Sequence, residues 1–301
     1  MCVRLRVRVR VFQRESPSTA ARARVARDDA DVVSLRACMA APTLVWLRTQ
    51  DTRPVPTGAA LRQWRSVVVG ACRSDSARDS ATCVPVSSLD TNRTELLNHL
   101  RARTTGPGRA YVVKLMLPWL LPRVERAIVL DFDLWVRQSL ERLAREFDRF
   151  TRRQMVGVVP DIAAVQLYPD SPLGANGGVQ LMHLRRMREE GWERMLRGHT
   201  AWIGYLGDQT MYAHLARSHP DRFRRLSCRY NRQLNTHFWL PPSAYTCADG
   251  CAIVHGNQQR FKQAIRRAID GDVDALMREI PARVAPALTD CFVASPSEFR
   301  G

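Results

Sequence analysis

At 301 residues the chain is long enough for one large α/β domain or two small ones, with ample length to bury a core. Its net charge of +17 is almost wholly arginine, since Lys114 and Lys262 are its only lysines. Outside the N-terminus the arginines are scattered rather than massed into a block, so no nucleic acid is expected as a partner and anionic substrates or glycans are favoured. No segment approaches the roughly 18 consecutive apolar residues of a membrane span, and the N-terminus has no signal-like apolar run. No membrane anchor is therefore expected in this chain, which reads as cytosolic or as lacking the start of a longer gene.

Taken in order, residues 1–30 alternate Val or Leu with Arg and then turn Ser/Ala/Arg/Asp-rich. Alternation is a strand pattern, but four arginines on one face suit an edge strand or no strand, so the expectation is a basic, poorly ordered arm ahead of one domain over 31–301. Residues 42–47 read as the first buried strand, with a loop over 48–51 at its end. Residues 59–69 read as helix running into strand, and Val84-Pro85-Val86 as a short strand. Asn92-Arg93-Thr94 is a glycosylation sequon at the start of a helical segment. Tyr111 to Leu121 reads as one apolar helix carrying Lys114.

The stretch Arg126-Ala127-Ile128-Val129-Leu130-Asp131-Phe132-Asp133 carries the most chemistry. Four apolar residues run into two carboxylates, as in a buried parallel strand delivering acids to the carboxyl edge of a sheet. Carboxylates at i and i+2 on an extended backbone face the same way and can share a hard divalent cation. Spacing alone says little, because Asp-x-Asp also occurs at Asp29/Asp31, Asp270/Asp272 and Asp272/Asp274. Only Asp131/Asp133 follows an apolar run.

Beyond it, Ser139 is placed to cap a helix with an apolar face of Leu140, Leu143, Phe147 and Phe150. Residues 155–159 read as another strand. Strands alternating with helices imply a mostly parallel sheet flanked by helices. Three further clusters follow. Gly174-Ala175-Asn176-Gly177-Gly178 reads as a backbone that a ligand approaches closely, or equally as a Gly-rich turn before a strand. Asp208-Gln209 opens a helix, where capping alone explains the aspartate. Ala252-Ile253-Val254-His255 repeats the strand-to-polar-residue pattern with an imidazole, which strengthens a metal reading. The chain closes on amphipathic stripes, Phe261, Ile265 and Ile269, then Val273, Leu276, Met277 and Ile280. Eight cysteines include no C-x-x-C pair; Cys247 and Cys251 have a spacing that begins some zinc sites, but disulfides or free thiols are favoured.

In this order, Asp131-Phe132-Asp133, Asn176-Gly177-Gly178, Asp208-Gln209 and His255-Gly256 resemble the retaining glycosyltransferases of family 8, across roughly half the chain. Arg222-Phe223, Cys228-Arg229-Tyr230-Asn231-Arg232-Gln233-Leu234 and His255-Gly256-Asn257 look like that family's xyloside α-1,3-xylosyltransferase branch, which extends O-linked xylose-glucose on EGF-like repeats. The resemblance implies a GT-A fold: a single Rossmann-like α/β domain with a mostly parallel central sheet. It also implies a UDP-sugar donor, xylose favoured over glucose or galactose, and a glycan or glycoprotein acceptor. Mn²⁺ or Mg²⁺ would be held by Asp131, Asp133 and His255. Asn176, Asp208 and Gln209 would face the donor sugar as catalytic residues; Lys114, Asp131, Asp133, Asn176, Gly177, Gly178, Gly256, Asn257 and Lys262 would bind the donor. The family retains anomeric configuration by front-face attack, with the departing UDP helping to take the acceptor proton. The branch carries cysteines at Cys228 and Cys247, implying a disulfide, and works in the endoplasmic reticulum or Golgi lumen. The chain departs from the family where Gly177 replaces a serine, where the link from Asp161 to Gly174 is short, and where Phe261 stands in place of a lysine that Lys262 adjoins. A non-catalytic binding module on the same fold is the alternative from another functional class.

Overall fold

The computed structural model describes residues 8–13, 43–48, 66–70, 81–84, 86–131, 133–161, 174–234, 247–257, 259–269, 272–280, 282, 288 and 291. Its strands are β1 (Arg8–Gln13), β2 (Thr43–Arg48), β3 (Ser66–Gly70), β4 (Ala81–Val84), β5 (Ala127–Asp131), β6 (Leu134–Val136), β7 (Val156–Pro160), β8 (Ala175–Met182), β9 (Phe223–Arg225), β10 (Arg232–Gln233) and β11 (Ile253–His255). Its α-helices are α1 (Thr91–Arg101), α2 (Gly108–Tyr111), α3 (Leu117–Leu120), α4 (Glu141–Arg145), α5 (Leu184–Glu189), α6 (Trp192–Arg197), α7 (Asp208–Ser218), α8 (Gln259–Ile269) and α9 (Val273–Glu279). The α/β class expected from the sequence is present. None of the described helices is long and apolar enough to cross a membrane.

The chain divides into two compact units. The first comprises Met1–Arg53, Leu61–Leu130 and Leu181–Met211. Its strand order is β4-β3-β1-β2-β5. Neighbours β2/β3 and β3/β4 run parallel, whereas β1 is antiparallel to both β2 and β3, so the sheet is mixed. The Arg/Val alternation thus does form a strand over Arg8–Gln13, but one paired on both sides rather than at an edge. The rest of the expected arm, the loop over 49–51 and the expected helix over 59–65 lie outside the described residues. β4 stops at Val84, and Val86–Ser88 turns into a 3₁₀ helix instead of continuing the strand.

Asp90 caps α1, its side chain accepting from the Arg93 backbone N–H at 2.9 Å, and Leu96, Leu97 and Leu100 face inward. The apolar stretch from Tyr111 is not one helix. It is α2, a 3₁₀ segment over Val112–Met116 and α3 in succession. Pro118 has no N–H to donate and its ring opposes the carbonyl four residues back, which breaks a continuous α-helical ladder. The carbonyls freed near its end are met by Arg188, which donates to Pro118, Leu121 and Val124 at 3.0, 3.3 and 3.1 Å.

The second unit comprises Pro54–Ala60, Asp131–Gln180 and Tyr212–Gly301. It holds the strand order β8-β7-β9 and a small sheet ordered β10-β11-β6. In that small sheet β11 runs parallel to β10 and antiparallel to β6, with His255 opposite Gln233 on one side and Leu134 on the other. Phe261 and Ile265 of α8, Leu276 of α9 and Ile280 just after it bury against Val254 and Leu234 as those members of the stripes predicted, joined by Ala268, while Val273 and Met277 are only partly buried. Ser139 accepts from the Glu141 N–H at 3.2 Å ahead of α4, and Leu140, Leu143, Phe147 and Phe150 are buried.

Two disulfides close this unit. Cys228–Cys247 is the pair implied by the family resemblance, and Cys251–Cys291 is an additional one. Cys247 and Cys251 therefore belong to different disulfides, which rules out the zinc reading of their spacing.

Candidate functional site

In the second unit Asp131 ends β5, Asp133 precedes β6 and His255 ends β11. The antiparallel pairing of β6 with β11 sets His255 opposite Leu134, and the Gly256 N–H donates to the Asp133 carbonyl at 2.8 Å. One ligand atom from each of Asp131, Asp133 and His255 lies within 4.8 Å of the others. Two hard carboxylates and one imidazole nitrogen form a donor set that suits Mn²⁺ or Mg²⁺, so the residues fit the expected cation. His255 Nε2 is 3.4 Å from Asp133 Oδ1, and Lys262 Nζ is 3.3 Å from Asp133 Oδ2. Burial alone would raise the Asp133 carboxyl, but its contacts with His255 and Lys262 hold it well below the usual carboxylate range.

The imidazole is oriented by a buried chain of hydrogen bonds. Asn176 Nδ2 donates to Asp161 Oδ2 at 3.0 Å, which fixes the amide with Oδ1 as acceptor. That oxygen accepts from the Gly178 N–H at 2.9 Å and from Asn231 Nδ2 at 2.8 Å. Asn231 Oδ1 is then the atom 2.9 Å from His255 Nδ1, so Nδ1 carries the hydrogen. Nε2 is left to face Asp133 and a cation.

Asn176-Gly177-Gly178 does not form a turn before a strand. It lies inside β8, all of whose residues are buried. A Cβ on Gly178 would come within 2.5 Å of His255 Nδ1, so the glycine is required for the ring to sit where it does. A Cβ on Gly256 would meet Ile265 Cγ1 at 2.8 Å and the Phe261 carbonyl at 2.9 Å, so this glycine lets α8 pack against the end of β11. The Gly177 carbonyl accepts from Gln180 Nε2 at 2.9 Å, and Gln180 Oε1 accepts from the Tyr212 hydroxyl at 2.8 Å.

In the first unit, Lys114 and Asp208 are both buried and their Nζ and Oδ2 atoms lie 3.3 Å apart. Asp208 is the first residue inside α7 rather than the residue before it, so the ion pair, not capping alone, accounts for it. The ammonium of Lys114 also sits 5.5 Å from the Tyr111 ring centroid. Gln209 follows on α7, partly exposed.

The structure therefore gathers Asp131, Asp133, Asn176, Gly178, His255 and Lys262 around one centre in the second unit, and Lys114 with Asp208 in the first. Asn257 follows that centre, partly buried, one residue beyond Gly256. Sequence reasoning passed over Asn231 and Asp161. Asn231 was visible only as a member of the Cys228–Leu234 segment; its polar side chain three residues before an apolar Leu carries no spacing signal by itself.

No protein-family model matches the chain. Mouse xyloside xylosyltransferase 1 is 26% identical over 183 residues, which cover 49% of this chain and 46% of that protein. Human xylosyl- and glucuronyltransferase LARGE2 is 30% identical over 165 residues, 50% of this chain and 23% of that protein. The chain thus spans less than half the length of these curated relatives. The apo crystal structure of mouse xyloside xylosyltransferase 1 aligns with a TM-score of 0.47 at 22% identity, covering 59% of this chain and 75% of that one. The galactosyltransferase LgtC, solved with donor and acceptor sugar analogues, aligns with a TM-score of 0.42 at 15% identity, covering 74% and 79%. By sequence, the xylosyltransferase resemblance carried by the motifs is found again in these relatives.

Proposed function

We propose that the chain is a metal-dependent, retaining glycosyltransferase that moves a sugar, with xylose favoured, from a UDP-sugar to a glycan acceptor. The observation that supports this best is the convergence of Asp131, Asp133 and His255 with the imidazole locked so that Nε2 faces the carboxylates. A divalent cation held by these three residues would neutralise charge on the diphosphate as UDP departs. Lys262, beside Asp133, adds a second positive charge on the same side and is placed to meet a phosphate oxygen. It fills the part of the family lysine from the next position of α8.

Asn176 acts here as a positioning residue: 2% exposed, it holds Asn231, which holds His255. Gly178 lets the ring pack directly against the backbone of β8. By resemblance to the family Asp208 and Gln209 would serve the donor sugar, and Lys114 fixes the buried Asp208 carboxylate. The acceptor hydroxyl attacks on the face that UDP leaves, and UDP takes its proton, so no separate strong base is needed. The acceptor in this reading is a glycan or glycoprotein, and the compartment is the endoplasmic reticulum or Golgi lumen. A luminal, oxidising compartment agrees with the two disulfides.

The test is a screen of UDP-xylose, UDP-glucose and UDP-galactose for Mn²⁺-dependent hydrolysis or transfer, alongside calorimetry of UDP binding. UDP binding should need the cation and disappear in Asp131→Ala/Asp133→Ala. Binding that persists unchanged in that variant overturns the proposal.

A further inference from the structure

A cavity of about 530 Å³ opens on the second unit, away from the carboxylates of the metal centre. One wall is α4 and the turn after it, where Arg142, Arg145 and Arg149 recur at the three- and four-residue spacing that puts side chains on one helical face. Arg229 and the buried Tyr230 form the facing wall. Two carboxylates also border the cavity, but both are engaged. Glu146 accepts from Arg149 at 3.0 Å and from Arg224 at 3.2 Å, and Asp249 accepts from the Ser227 hydroxyl. Arg229 donates through Nη2 to the neutral amide oxygen of Gln138 at 2.6 Å, and its buried Nε makes no hydrogen bond among the described residues. The cavity therefore presents more guanidinium charge than its own carboxylates neutralise. Tyr230 stays a hydroxyl donor over an extended pH range, because burial and then Glu146 raise its pKa.

We propose that this cavity binds an anionic sugar unit of the acceptor glycan, one bearing a carboxylate, sulfate or phosphate. The inference rests on the glycosyltransferase reading for its acceptor, but the binding itself does not need donor or metal. Planar, forked arginine donors match all three oxyanions, and a volume of this size accommodates one or two sugar rings. The placement fits an acceptor that also reaches the metal centre. Asp133 stands just before β6 and Gln138, the partner of Arg229, two residues beyond its end, so five residue steps, at most about 17 Å, link the two sites along the chain. On the facing wall Tyr230 is followed directly by Asn231, which orients His255. An oligosaccharide held by its charged unit in the cavity would be a short chain away from the transfer site.

Calorimetry without UDP or metal, at physiological salt, tests this with four probes. These are a heparin tetrasaccharide, a hyaluronan tetrasaccharide that carries carboxylates alone, glucose 6-phosphate and neutral chitotetraose. At least one anionic probe should bind at least tenfold more tightly than chitotetraose, and the pattern among them identifies the anion. Arg142→Ala/Arg145→Ala, both exposed and so not at risk of unfolding, should weaken that binding at least tenfold, and Arg229→Ala likewise. Arg152→Ala/Arg267→Ala, the same charge removed elsewhere on this strongly basic chain, should leave it unchanged. Equal weakening by the two double variants, or anionic probes binding no better than chitotetraose, overturns the proposal. Asp131→Ala/Asp133→Ala must keep probe binding while losing UDP, which separates failure of the cavity from failure of the transferase reading.

Discussion

His255 Nδ1 lies 2.9 Å from Asn231 Oδ1, and that contact decides which nitrogen of the ring faces the carboxylates. Asn231 cannot turn its amide over, because its Nδ2 already donates to Asn176 Oδ1 at 2.8 Å. Removing it should free the ring to take the other tautomer or to rotate. Asn231→Ala is expected to weaken Mn²⁺ affinity about 10- to 100-fold, the usual cost of losing the partner that orients a metal-bound histidine. Asn231→Asp keeps the acceptor towards Nδ1 but sets an oxygen against Asn176 Oδ1, so it should recover only part of the affinity. Titration with Mn²⁺ followed by electron paramagnetic resonance reads both variants. Equal affinity in wild type and Asn231→Ala would show that the ring is held by something else.

Lys262 and a cation compete for Asp133 but cooperate on a diphosphate. Nζ sits 3.3 Å from Asp133 Oδ2. Lys262→Met should therefore tighten binding of Mn²⁺ alone a few-fold, because a positive charge leaves the site. The same change should weaken UDP in the presence of Mn²⁺ about tenfold, the scale of one charge-assisted hydrogen bond. The opposite signs are the diagnostic: a merely structural lysine would move both constants in one direction.

How far the sequence reached can be seen in these residues. The apolar run into Asp131 was legible because a buried parallel strand has a composition of its own, and His255 because it repeats the pattern. Asn231 was not, because its role depends on the register of β10 against β11, which sets Gln233 beside His255 and is fixed only in the folded sheet. Asn176 was legible as a site residue, with a turn before a strand as the equal alternative, but its place inside β8 was not. Its glycine neighbours serve close approach to an imidazole in the middle of a strand, and local sequence cannot distinguish that from a bend. Cys251–Cys291 lay beyond reach since connectivity among many cysteines has no sequence signature.

Lys114 and Asp208 form a buried pair of opposite charges in the first unit. Taking either partner away strands the other, so Lys114→Met should destabilise the protein by about 3–5 kcal/mol. The double change Lys114→Met/Asp208→Leu should recover most of that loss, since two apolar groups replace a pair whose desolvation nearly cancels its attraction. Urea denaturation of the four members of the cycle measures the coupling. Additive single effects would mean that the two side chains do not interact in solution.

The disulfides close loops with sequence separations of 19 and 40 residues. Constraint of the unfolded chain alone predicts stabilisation of about 3 and 4 kcal/mol for loops of these lengths. Cys251→Ala/Cys291→Ala should therefore lower stability more than Cys228→Ala/Cys247→Ala, although Cys251 and Cys291 are small side chains in a packed core. Thermal melts with and without reductant check the order, and in wild type the reductant should lower the midpoint towards that of the variants.

His183 offers a pH signature independent of the metal centre. Half-buried at the start of α5, its Nδ1 accepts from the Arg186 N–H at 3.5 Å, a long capping contact. Burial, followed by the positive charges of Arg186, Arg126 and Arg185, lowers its pKa from 6.5 to about 4. The folded protein therefore keeps this ring neutral at pH values where the unfolded chain has already protonated it. Above pH 6.5 both states are neutral and the group contributes nothing to the pH dependence. As pH falls from 6.5 towards 4 the unfolded state binds the extra proton and stability drops; below 4 both states are protonated and the loss levels off. For a half-buried group, solvent screening reduces the size of the drop to about 1–2 kcal/mol. His183→Asn keeps a capping acceptor without the titration, so its stability should flatten across this window relative to wild type. Denaturation midpoints measured at half-unit steps between pH 4 and 7 read the difference directly; parallel curves for the two proteins would show that the ring titrates normally in the fold.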